Sequence, residues 1–349
     1  MASTQLTPAE QLNRDIASTR SEITRLVDEV KLTSVRNTYS TLDSAIANLP
    51  LRVQKVRARK YAFNKILETQ AEEFQKQWAL KRSHVLNQIT TESNALQSQL
   101  RVLEGRAAGI ANSAAVKMLQ SDITNFKARV SASKRAVTDL FDKLNNEVNK
   151  VQSQMSQIEK TLDLAESACF GFLPTESVVR AVKALWTRDE QEDKTDPKGI
   201  LFLTDQRLLF EQREEMATKK VLFVTTERKK VQELLFEVPV FSITSVQATK
   251  QGMLKNEDWL TLEFESGAFA RGAKIHLDGQ NCDEWQKLIT QVKSRELDSD
   301  RAIEIDSQAV EKAKAAPVIC PFCGGSITKP VLRGMDSIKC DFCGNVIKL

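Results

Sequence analysis

Glycine and proline are almost missing from the first half of the chain. Glycine first appears at Gly105, and Pro8 and Pro50 are the only prolines before residue 170. Because both residue types interrupt regular secondary structure, their scarcity predicts nearly continuous helix over this half.

Other absences exclude whole classes of protein. No charged-then-apolar leader opens the chain and no run of about 18 apolar residues occurs, which predicts a cytoplasmic protein. The net charge of +4 gives no global field for nucleic acid or membrane, so any such binding must be local.

Recognisable catalytic machinery is also missing. The chain has two histidines, His84 and His276, and neither lies beside a candidate nucleophile or carboxylate partner in the sequence. No Gly-rich phosphate loop, nucleophile elbow or paired-histidine metal motif occurs. We therefore predict no enzymatic activity and no small-molecule substrate.

The helical half has a clear start. Thr7 caps the first helix, Pro8 suits its first position, and Glu10 completes a capping box. We predict a long antiparallel coiled coil over residues 1–168, with helices at about 7–49, 51–104 and 112–167. Pro50 breaks the first helix from the second, and the permissive corner Gly105–Gly109 turns the chain into the third.

The third predicted helix carries the most regular apolar repeat, whose steps of three and four residues form a coiled-coil seam with one stutter near Leu140. The seam consists of Val116, Leu119, Ile123, Phe126, Val130, Ser133, Val137, Leu140, Leu144, Val148, Val151, Met155, Ile158 and Leu162. Helices two and three should fold back on each other. Helix one either packs along this hairpin or contributes to a homo-oligomer.

After Phe170 the pattern changes to short alternating strands separated by polar turns, closed by an amphipathic helix that carries Trp285. The runs Gly199-Ile-Leu-Phe-Leu-Thr-Asp-Gln-Arg-Leu-Leu-Phe210 and Val238-Pro-Val-Phe-Ser-Ile-Thr-Ser-Val246, with that helix, resemble pleckstrin-homology-like and GRAM-type domains. The resemblance implies a small β-barrel with a C-terminal helix over residues 175–296. The whole chain is thus predicted to be a multidomain α + β protein.

Pleckstrin-homology-like folds host lipid binding, protein binding and purely structural roles. Members that bind phosphoinositides usually carry basic residues in the first hairpin, whereas this one reads Arg188-Asp-Glu-Gln-Glu-Asp-Lys-Thr-Asp196. That acidic loop argues against phosphoinositide binding there. A helical module followed by such a domain also resembles the order in membrane-sculpting proteins that join a BAR-type module to a pleckstrin-homology domain.

The C-terminal tail carries the most specific motif. It reads Cys320-Pro-Phe-Cys-Gly-Gly325 and, after sixteen residues between the inner cysteines, Cys340-Asp-Phe-Cys-Gly-Asn345. Four thiolates on two tight turns are what a tetrahedral zinc site requires. Cys320, Cys323, Cys340 and Cys343 are therefore predicted to hold one structural Zn²⁺, with rubredoxin-like iron as the alternative. The pattern resembles a zinc ribbon, over residues 318–349, behind a charged linker at 297–317.

The remaining two cysteines, Cys169 and Cys282, are then free thiols, and so few cysteines fit a reducing compartment. Basic side chains form two clusters that could contact anionic surfaces, or could simply be solvated charges. The first is Arg52, Lys55, Arg57, Arg59 and Lys60; the second is Lys219, Lys220, Arg228, Lys229 and Lys230. The ribbon adds Lys329, Arg333 and Lys339.

These features together predict a non-enzymatic adaptor or scaffold. In this interpretation the coiled coil oligomerises or extends the molecule, and the barrel and ribbon dock protein partners. One alternative is a protein that binds the periphery of anionic membranes through the helical module and the pleckstrin-homology-like domain. Another, less favoured, is a nucleic-acid-binding protein that uses the ribbon and the basic helix.

Overall fold

The computed structural model describes residues 7–187, 195–221, 224–252, 256–266 and 269–349, and the side chains of 216–229 are outside this description. The chain divides into two compact units. The helical unit holds the residues up to Leu51 together with Glu68–Ser153. The C-terminal unit holds Arg52–Leu67 together with Gln154–Leu349.

In the described residues, the part of the chain before the sheet forms five α-helices. They are α1 (Pro8–Glu29), α2 (Thr33–Ala58), α3 (Leu67–Ala108), α4 (Ser113–Thr138) and α5 (Asp142–Glu166). The predicted capping box is confirmed, because the Thr7 hydroxyl accepts from the Glu10 N–H while the Glu10 carboxylate accepts from the Thr7 N–H.

Within the helical unit, the first helical segment (α1 and α2) packs in parallel along the third segment (α4 and α5) of the same chain. Lys127 pairs with Glu22, Lys134 Nζ lies 3.2 Å from Glu29 Oε2, and Gln152 Nε2 donates to the Ala45 carbonyl at 3.1 Å. The partners are 105 to 107 residues apart, so the two segments advance in the same direction.

The α3 helix runs antiparallel to both neighbours in this unit. Trp78 Nε1 donates to Asp43 Oδ1 at 2.7 Å and Ser93 Oγ donates to the Val30 carbonyl at 2.9 Å. On the other side, Ser133 Oγ donates to Glu92 Oε2 at 2.7 Å. As the residue numbers in α3 rise, the numbers of their partners fall, as expected for a chain that folds back on itself.

Two short breaks interrupt what the sequence predicted as single helices. Between α1 and α2 the fully buried Leu32 adopts a φ of 54°, which few non-glycine residues adopt. Between α4 and α5 Phe141 is buried and Leu140 is only half-buried. The predicted stutter near Leu140 therefore marks a real shift of the apolar seam by one residue, and the helix stops there.

The predicted helix break at Pro50 is wrong, because Pro50 lies inside α2. An interior proline removes one backbone hydrogen bond, but the buried stripe continues through Leu49 and Val53 and keeps the helix going. The chain turns later, between Ala58 and Leu67, so α3 begins well after the predicted position.

The turn between α2 and α3 has its own built-in support. Lys60 and Asn64 have φ values of 63° and 57°. The Arg57 guanidinium donates to the carbonyls of Tyr61 at 2.8 Å, Phe63 at 2.6 Å and Asn64 at 2.8 Å. One side chain therefore binds three carbonyls of the turn and holds its conformation.

Among the described residues of the C-terminal unit, seven antiparallel strands form one sheet, in the order β4-β3-β2-β1-β7-β6-β5. The strands are β1 (Val178–Thr187), β2 (Lys198–Thr204), β3 (Arg207–Val221), β4 (Val224–Pro239), β5 (Ile243–Gln251), β6 (Glu257–Phe264) and β7 (Gly272–Leu277). This sheet and the closing α6 (Cys282–Lys293), here called the β domain, confirm the predicted mixed α + β class and agree with a pleckstrin-homology-like fold.

Packing explains why this sheet closes over α6. Trp285 on α6 is fully buried with Ile289, and the Trp285 Nε1 donates to Gln280 Oε1 at 2.7 Å. Gly199 on β2 lies so close to β3 that a Cβ there would stand 1.8 Å from the Glu211 carbonyl oxygen. Only glycine allows that approach.

The segment predicted as a linker is structured. It contains a 3-10 helix (Glu296–Asp300) and α7 (Ser307–Lys314). The Ala302 N–H donates to the Ala62 carbonyl at 2.7 Å and the Lys65 N–H donates to the Asp300 carbonyl at 3.1 Å. The start of this segment is thus fixed against the turn between α2 and α3. None of the described helices is both long and apolar enough to cross a membrane.

Candidate metal centre

Each predicted cysteine pair lies on a tight turn that ends at a glycine. The Gly324 N–H donates to the Cys320 carbonyl and the Gly344 N–H donates to the Cys340 carbonyl, both at 2.9 Å. The two glycines have φ values of 73° and 74°, which a side chain would disfavour. The Cys-x-x-Cys-Gly spacing therefore produces two matching loops.

A further backbone hydrogen bond closes each of the two loops. The Cys320 N–H donates to the Gly325 carbonyl at 2.8 Å and the Cys340 N–H donates to the Asn345 carbonyl at 2.9 Å. Strands β8 (Ser337–Lys339) and β9 (Val346–Lys348) pair beside the second loop. A small apolar cluster, with Ile338 and Ile347 as its buried hydrophobic members, packs under the sulfurs.

The four sulfurs lie close enough together to bind one ion. All four ligand atoms lie within 4.8 Å of one another, which confirms the prediction that these cysteines come together. The Sγ atoms of Cys320 and Cys343 are 3.7 Å apart, as are those of Cys323 and Cys340. A tetrahedron with Zn–S bonds of about 2.3 Å has S–S edges of about 3.8 Å, so the donor set fits one ion.

The electrostatics of the site favour a bound cation. The N–H groups of Cys343 and Phe342 point at the Cys340 sulfur and lower the pKa of Cys340 to about 7. The Gly325 N–H acts to lower the pKa of Cys323, but the neighbouring sulfurs, Cys343 first, raise it to about 12. Thiolates this close repel one another, so all four ionise together only when a cation offsets their charge.

The segment that carries these cysteines, residues 318–349 and here called the ribbon, contacts the β domain between the two cysteine loops. The Arg333 N–H donates to Gln206 Oε1 at 2.7 Å, and Gln206 Nε2 donates back to the Arg333 carbonyl at 2.9 Å. Arg333 Nη2 lies 2.5 Å from Asp205 Oδ2. Gly334, with a φ of 88°, lies against Thr175.

A groove of about 530 Å³ lies where the ribbon meets the β domain. From the β domain it is lined by Phe241 and Phe269, which are 49% and 45% exposed, and by the last residues of β4. From the ribbon it is lined by Pro330, Met335 and the whole of β8. Both parts of this unit therefore contribute apolar residues to the groove, whose lining also includes polar and charged side chains.

The first basic cluster is largely engaged in internal contacts. Arg52 donates to both carboxylate oxygens of Glu159 at 2.8 Å, and Arg59 pairs with Asp163 and Glu166, each at 2.7 Å. As described above, Arg57 donates to the carbonyls of the turn after α2. Two members of this cluster, Lys55 and Lys60, are exposed.

The second basic cluster falls on the β3–β4 hairpin. The backbone of β3 and β4 places Lys219, Lys220, Arg228 and Lys229 there, but their side chains lie outside the described residues. Lys230 is exposed and pairs in register with Glu215. Most of the acidic first loop, residues 188–194, also lies outside the described residues.

The ribbon's own cations are partly paired as well. Lys329 Nζ lies 2.5 Å from Asp341 Oδ1, and Arg333 binds Asp205, while Lys339 is exposed. Of the two histidines, His84 is exposed on α3 and His276 stacks on Trp259 with ring centroids 4.7 Å apart.

Sequence reasoning missed the buried carboxylate of Asp205 and its second cation, Arg301, whose Nη1 lies 2.7 Å from Asp205 Oδ2. Both side chains are about 95% buried. Asp205 stands in the polar turn between β2 and β3, where charge is ordinary, so composition gave no signal. Only in the folded structure, where the ribbon lies against the β domain, are Asp205, Arg301 and Arg333 seen to be buried together.

No protein-family model and no curated protein sequence matches the chain. Among solved structures, the neighbours include pleckstrin-homology (PH) domains. The Vps36 N-terminal PH domain is 12% identical, with 36% of this chain and 86% of that chain covered and a TM-score of 0.24. A pleckstrin-homology protein of the DUF1696 family from Shewanella loihica is 16% identical, covers 39% and 92%, and has a TM-score of 0.22.

A third neighbour is the DH/PH fragment of PDZ-RhoGEF, solved in complex with human RhoA. It is 11% identical, with 83% of this chain and 96% of that chain covered and a TM-score of 0.25. The strand order and register of this chain's own sheet define its fold.

Proposed function

We propose that the protein is a non-enzymatic adaptor with three parts: a coiled-coil helical module over residues 1–168, a pleckstrin-homology-like domain at 175–296, and a zinc ribbon at 318–349 joined through 297–317. The helical module acts as a spacer, and the β domain and ribbon together dock a partner protein. The groove lined by both parts is the observation that carries this proposal.

The occupant that the groove fits best is an extended segment of a partner protein. The groove is bordered by Glu237–Pro239 of β4, which is an edge strand of the described sheet. It is also bordered by β8, whose described strand pairing is with β9 alone. An edge strand offers backbone donors and acceptors to an added strand, and the exposed rings of Phe241 and Phe269 offer apolar contacts to its side chains.

The four cysteines would hold one structural Zn²⁺ in this proposal, with iron as the alternative. A site closed by four protein thiolates leaves no open coordination position, so the metal would stabilise the ribbon rather than activate water. The role of the metal is then to shape one wall of the groove.

Spacing, rather than oligomerisation, is the role that we propose for the helices. The α1 helix already packs along α4 in the same chain through the pairs of Lys127 with Glu22 and of Lys134 with Glu29. Light scattering on the purified protein should therefore give the mass of a monomer. A stable dimer would instead support the scaffold variant of the proposal.

Arg52 and Arg59 are paired with acidic side chains of the same chain, which weakens the membrane alternative. Guanidinium groups that are already paired contribute little to the binding of an anionic surface. The pairing of Lys329 and Arg333 weakens the nucleic-acid alternative in the same way. Sedimentation with anionic vesicles and DNA or RNA binding at about 50 mM salt should both be negative, because each depends on unpaired cations.

A peptide selection tests the docking proposal directly. The full metal-loaded chain is screened against a displayed library of linear peptides, and the dissociation constants of enriched peptides are measured by fluorescence anisotropy. Enriched peptides should alternate apolar and polar residues, as an added strand requires.

Two matched phenylalanine variants then locate the bound peptide. Phe241→Ala removes a ring from the groove and should weaken binding about tenfold or more, a loss of about 1.4 kcal/mol. Phe322→Ala removes a ring that is 62% exposed on the first cysteine loop, outside the groove lining, and should leave binding unchanged. No enriched peptide, or equal effects of the two substitutions, would show that the groove is not the docking site.

A further inference from the structure

The ribbon is fixed to the β domain through a buried charge cluster rather than held by a free tether. Asp205 Oδ2 accepts from Arg333 Nη2 at 2.5 Å and from Arg301 Nη1 at 2.7 Å, and Asp205 Oδ1 accepts from the Ser177 N–H at 3.0 Å. Its side chain is only 4% exposed. A carboxylate this deeply buried depends on its cations, because burial of an unpaired charge is strongly unfavourable.

The ribbon supplies one of those cations from a strictly fixed position. Arg333 lies between the two cysteine loops, and its N–H and carbonyl are both bound by Gln206. Gly334 adopts a φ of 88°, and a Cβ there would stand 2.9 Å from Thr175 Oγ1. The path of the ribbon backbone at this point is therefore determined by the β domain.

The second cation continues the same cluster to the turn between α2 and α3. Arg301 Nη2 donates to Ser177 Oγ at 3.1 Å, and the guanidinium lies 4.9 Å from the centroid of the Phe63 ring. The neighbouring Asp300 accepts from the Asn64 N–H at 3.2 Å through its carboxylate. Asp205 thus joins three segments that are distant in the sequence.

We propose that Arg333 and Asp205 form a latch that couples metal occupancy of the four cysteines to the order of the β2–β3 turn and of residues 299–303. The metal-bound ribbon presents Arg333 at the one place where Asp205 can bind it. Loss of the metal frees the ribbon, withdraws Arg333, and leaves Asp205 with Arg301 alone. The inference rests on the proposed metal site, and through the groove wall it would make docking dependent on metal.

Small structural domains built around zinc lose their fold without it, so a ribbon tied to nothing else would unfold alone. Here the β domain shares its buried charge with the ribbon, and thermodynamic linkage then requires the coupling to act in both directions. Metal stabilises the β2–β3 turn, and an intact latch strengthens metal binding.

Hydrogen exchange measured by mass spectrometry on the full chain tests this coupling. Zinc is loaded to one equivalent and removed with a chelator, and exchange is followed in peptides that cover residues 205–206, 299–303 and the ribbon. In the native protein, metal removal should speed exchange in all three regions. Faster exchange in the ribbon alone would overturn the latch.

The Arg333→Met variant should break the coupling while Arg301 still pairs with Asp205, so the fold is retained. With zinc bound, its residues 205–206 and 299–303 should already exchange faster, and chelation should add little there. Its zinc affinity, measured by competition with a coloured chelator, should fall about tenfold, which corresponds to about 1.4 kcal/mol of coupling.

Lys329→Met is the matched control, because Lys329 is a ribbon cation paired within the ribbon to Asp341. It should keep the native exchange pattern and affinity, and identical behaviour of the two variants would contradict the proposal. If Arg333→Met does not fold, Gln206→Ala removes two neutral hydrogen bonds of the same contact and is judged by the same criteria. Failure to bind zinc at all would refute the metal site, whereas binding without remote changes would refute only the latch.

Discussion

The helical unit and the ribbon are stabilised in opposite ways. The helical unit distributes its stability over a long seam in which Leu26, Ile89, Leu96 and Val130 are each at most 1% exposed. The ribbon has few buried apolar residues, and with the proposed metal its order depends on four sulfurs and on the buried contact of Arg333 with Asp205. A distributed core tolerates single losses, whereas a concentrated one fails as a whole.

The largest effect is expected where stability is most concentrated. Cys340→Ser removes one of four ligands, and apparent binding energies of structural zinc are about 10–16 kcal/mol, so the ribbon should lose its metal and its order. Zinc content by mass spectrometry and amide resonances of residues 318–349 would report this. Retention of one tightly bound zinc with unchanged ribbon resonances would remove the four-thiolate site from consideration.

Truncation of a single buried side chain in the seam should lower stability markedly without unfolding the protein. Leu96→Ala in α3 deletes a fully buried side chain and should lower the free energy of unfolding by about 2–5 kcal/mol, while the far-ultraviolet circular dichroism stays native. Leu80→Ala, at an 85% exposed position of the same helix, is the control and should change little. Equal destabilisation by both would contradict the burial described here.

Pro50→Ala should have a smaller effect of the opposite sign. The substitution restores a backbone donor inside α2 and removes the clash of the ring with the preceding turn, so it should stabilise the protein by about 1–3 kcal/mol. Chemical denaturation measures the change. Destabilisation would instead mean that the ring sets a bend on which the packing depends.

The smallest effect is expected in the reactivity of the cysteine thiols. Partial desolvation, followed by the neighbouring Glu211, raises the pKa of Cys169, and desolvation followed by Asp258 raises that of Cys282. Less thiolate therefore forms near neutral pH, and alkylation should be slow and increase with pH. With zinc bound, exposed Cys169 should label before the buried Cys282. Chelation should then release four further thiols, and fewer than four would contradict the shared site.

Local patterns predicted the features that depend on neighbouring residues. The spacing of Cys320 and Cys323 and its repeat at Cys340 and Cys343 brought the four sulfurs together as expected. Near Leu140, by contrast, the sequence predicted a stutter within one continuous helix, whereas the structure interrupts the helix there. The cysteine motif was predictable because its information lies within a short stretch of the chain.

Features that depend on distant partners were not predictable in this way. Pro50 follows the local rule for a helix break, but the buried residues on either side of it outweigh that rule. Arg52 was a candidate for anion contact, yet its partner Glu159 lies 107 residues away. Arg333 and Asp205 are separated by 128 residues, and either one alone looks like an ordinary surface charge.

The nearly constant offset of 105 to 107 residues between the first and third helical segments limits how the helical unit can change in length. Glu22 meets Lys127 and Ala45 meets Gln152 only because both segments contain nearly the same number of residues between those points. Seven residues inserted into α2 alone would place every later pair one heptad out of step. Growth by about 10 Å, the rise of seven helical residues, would require matched insertions in all three segments at once.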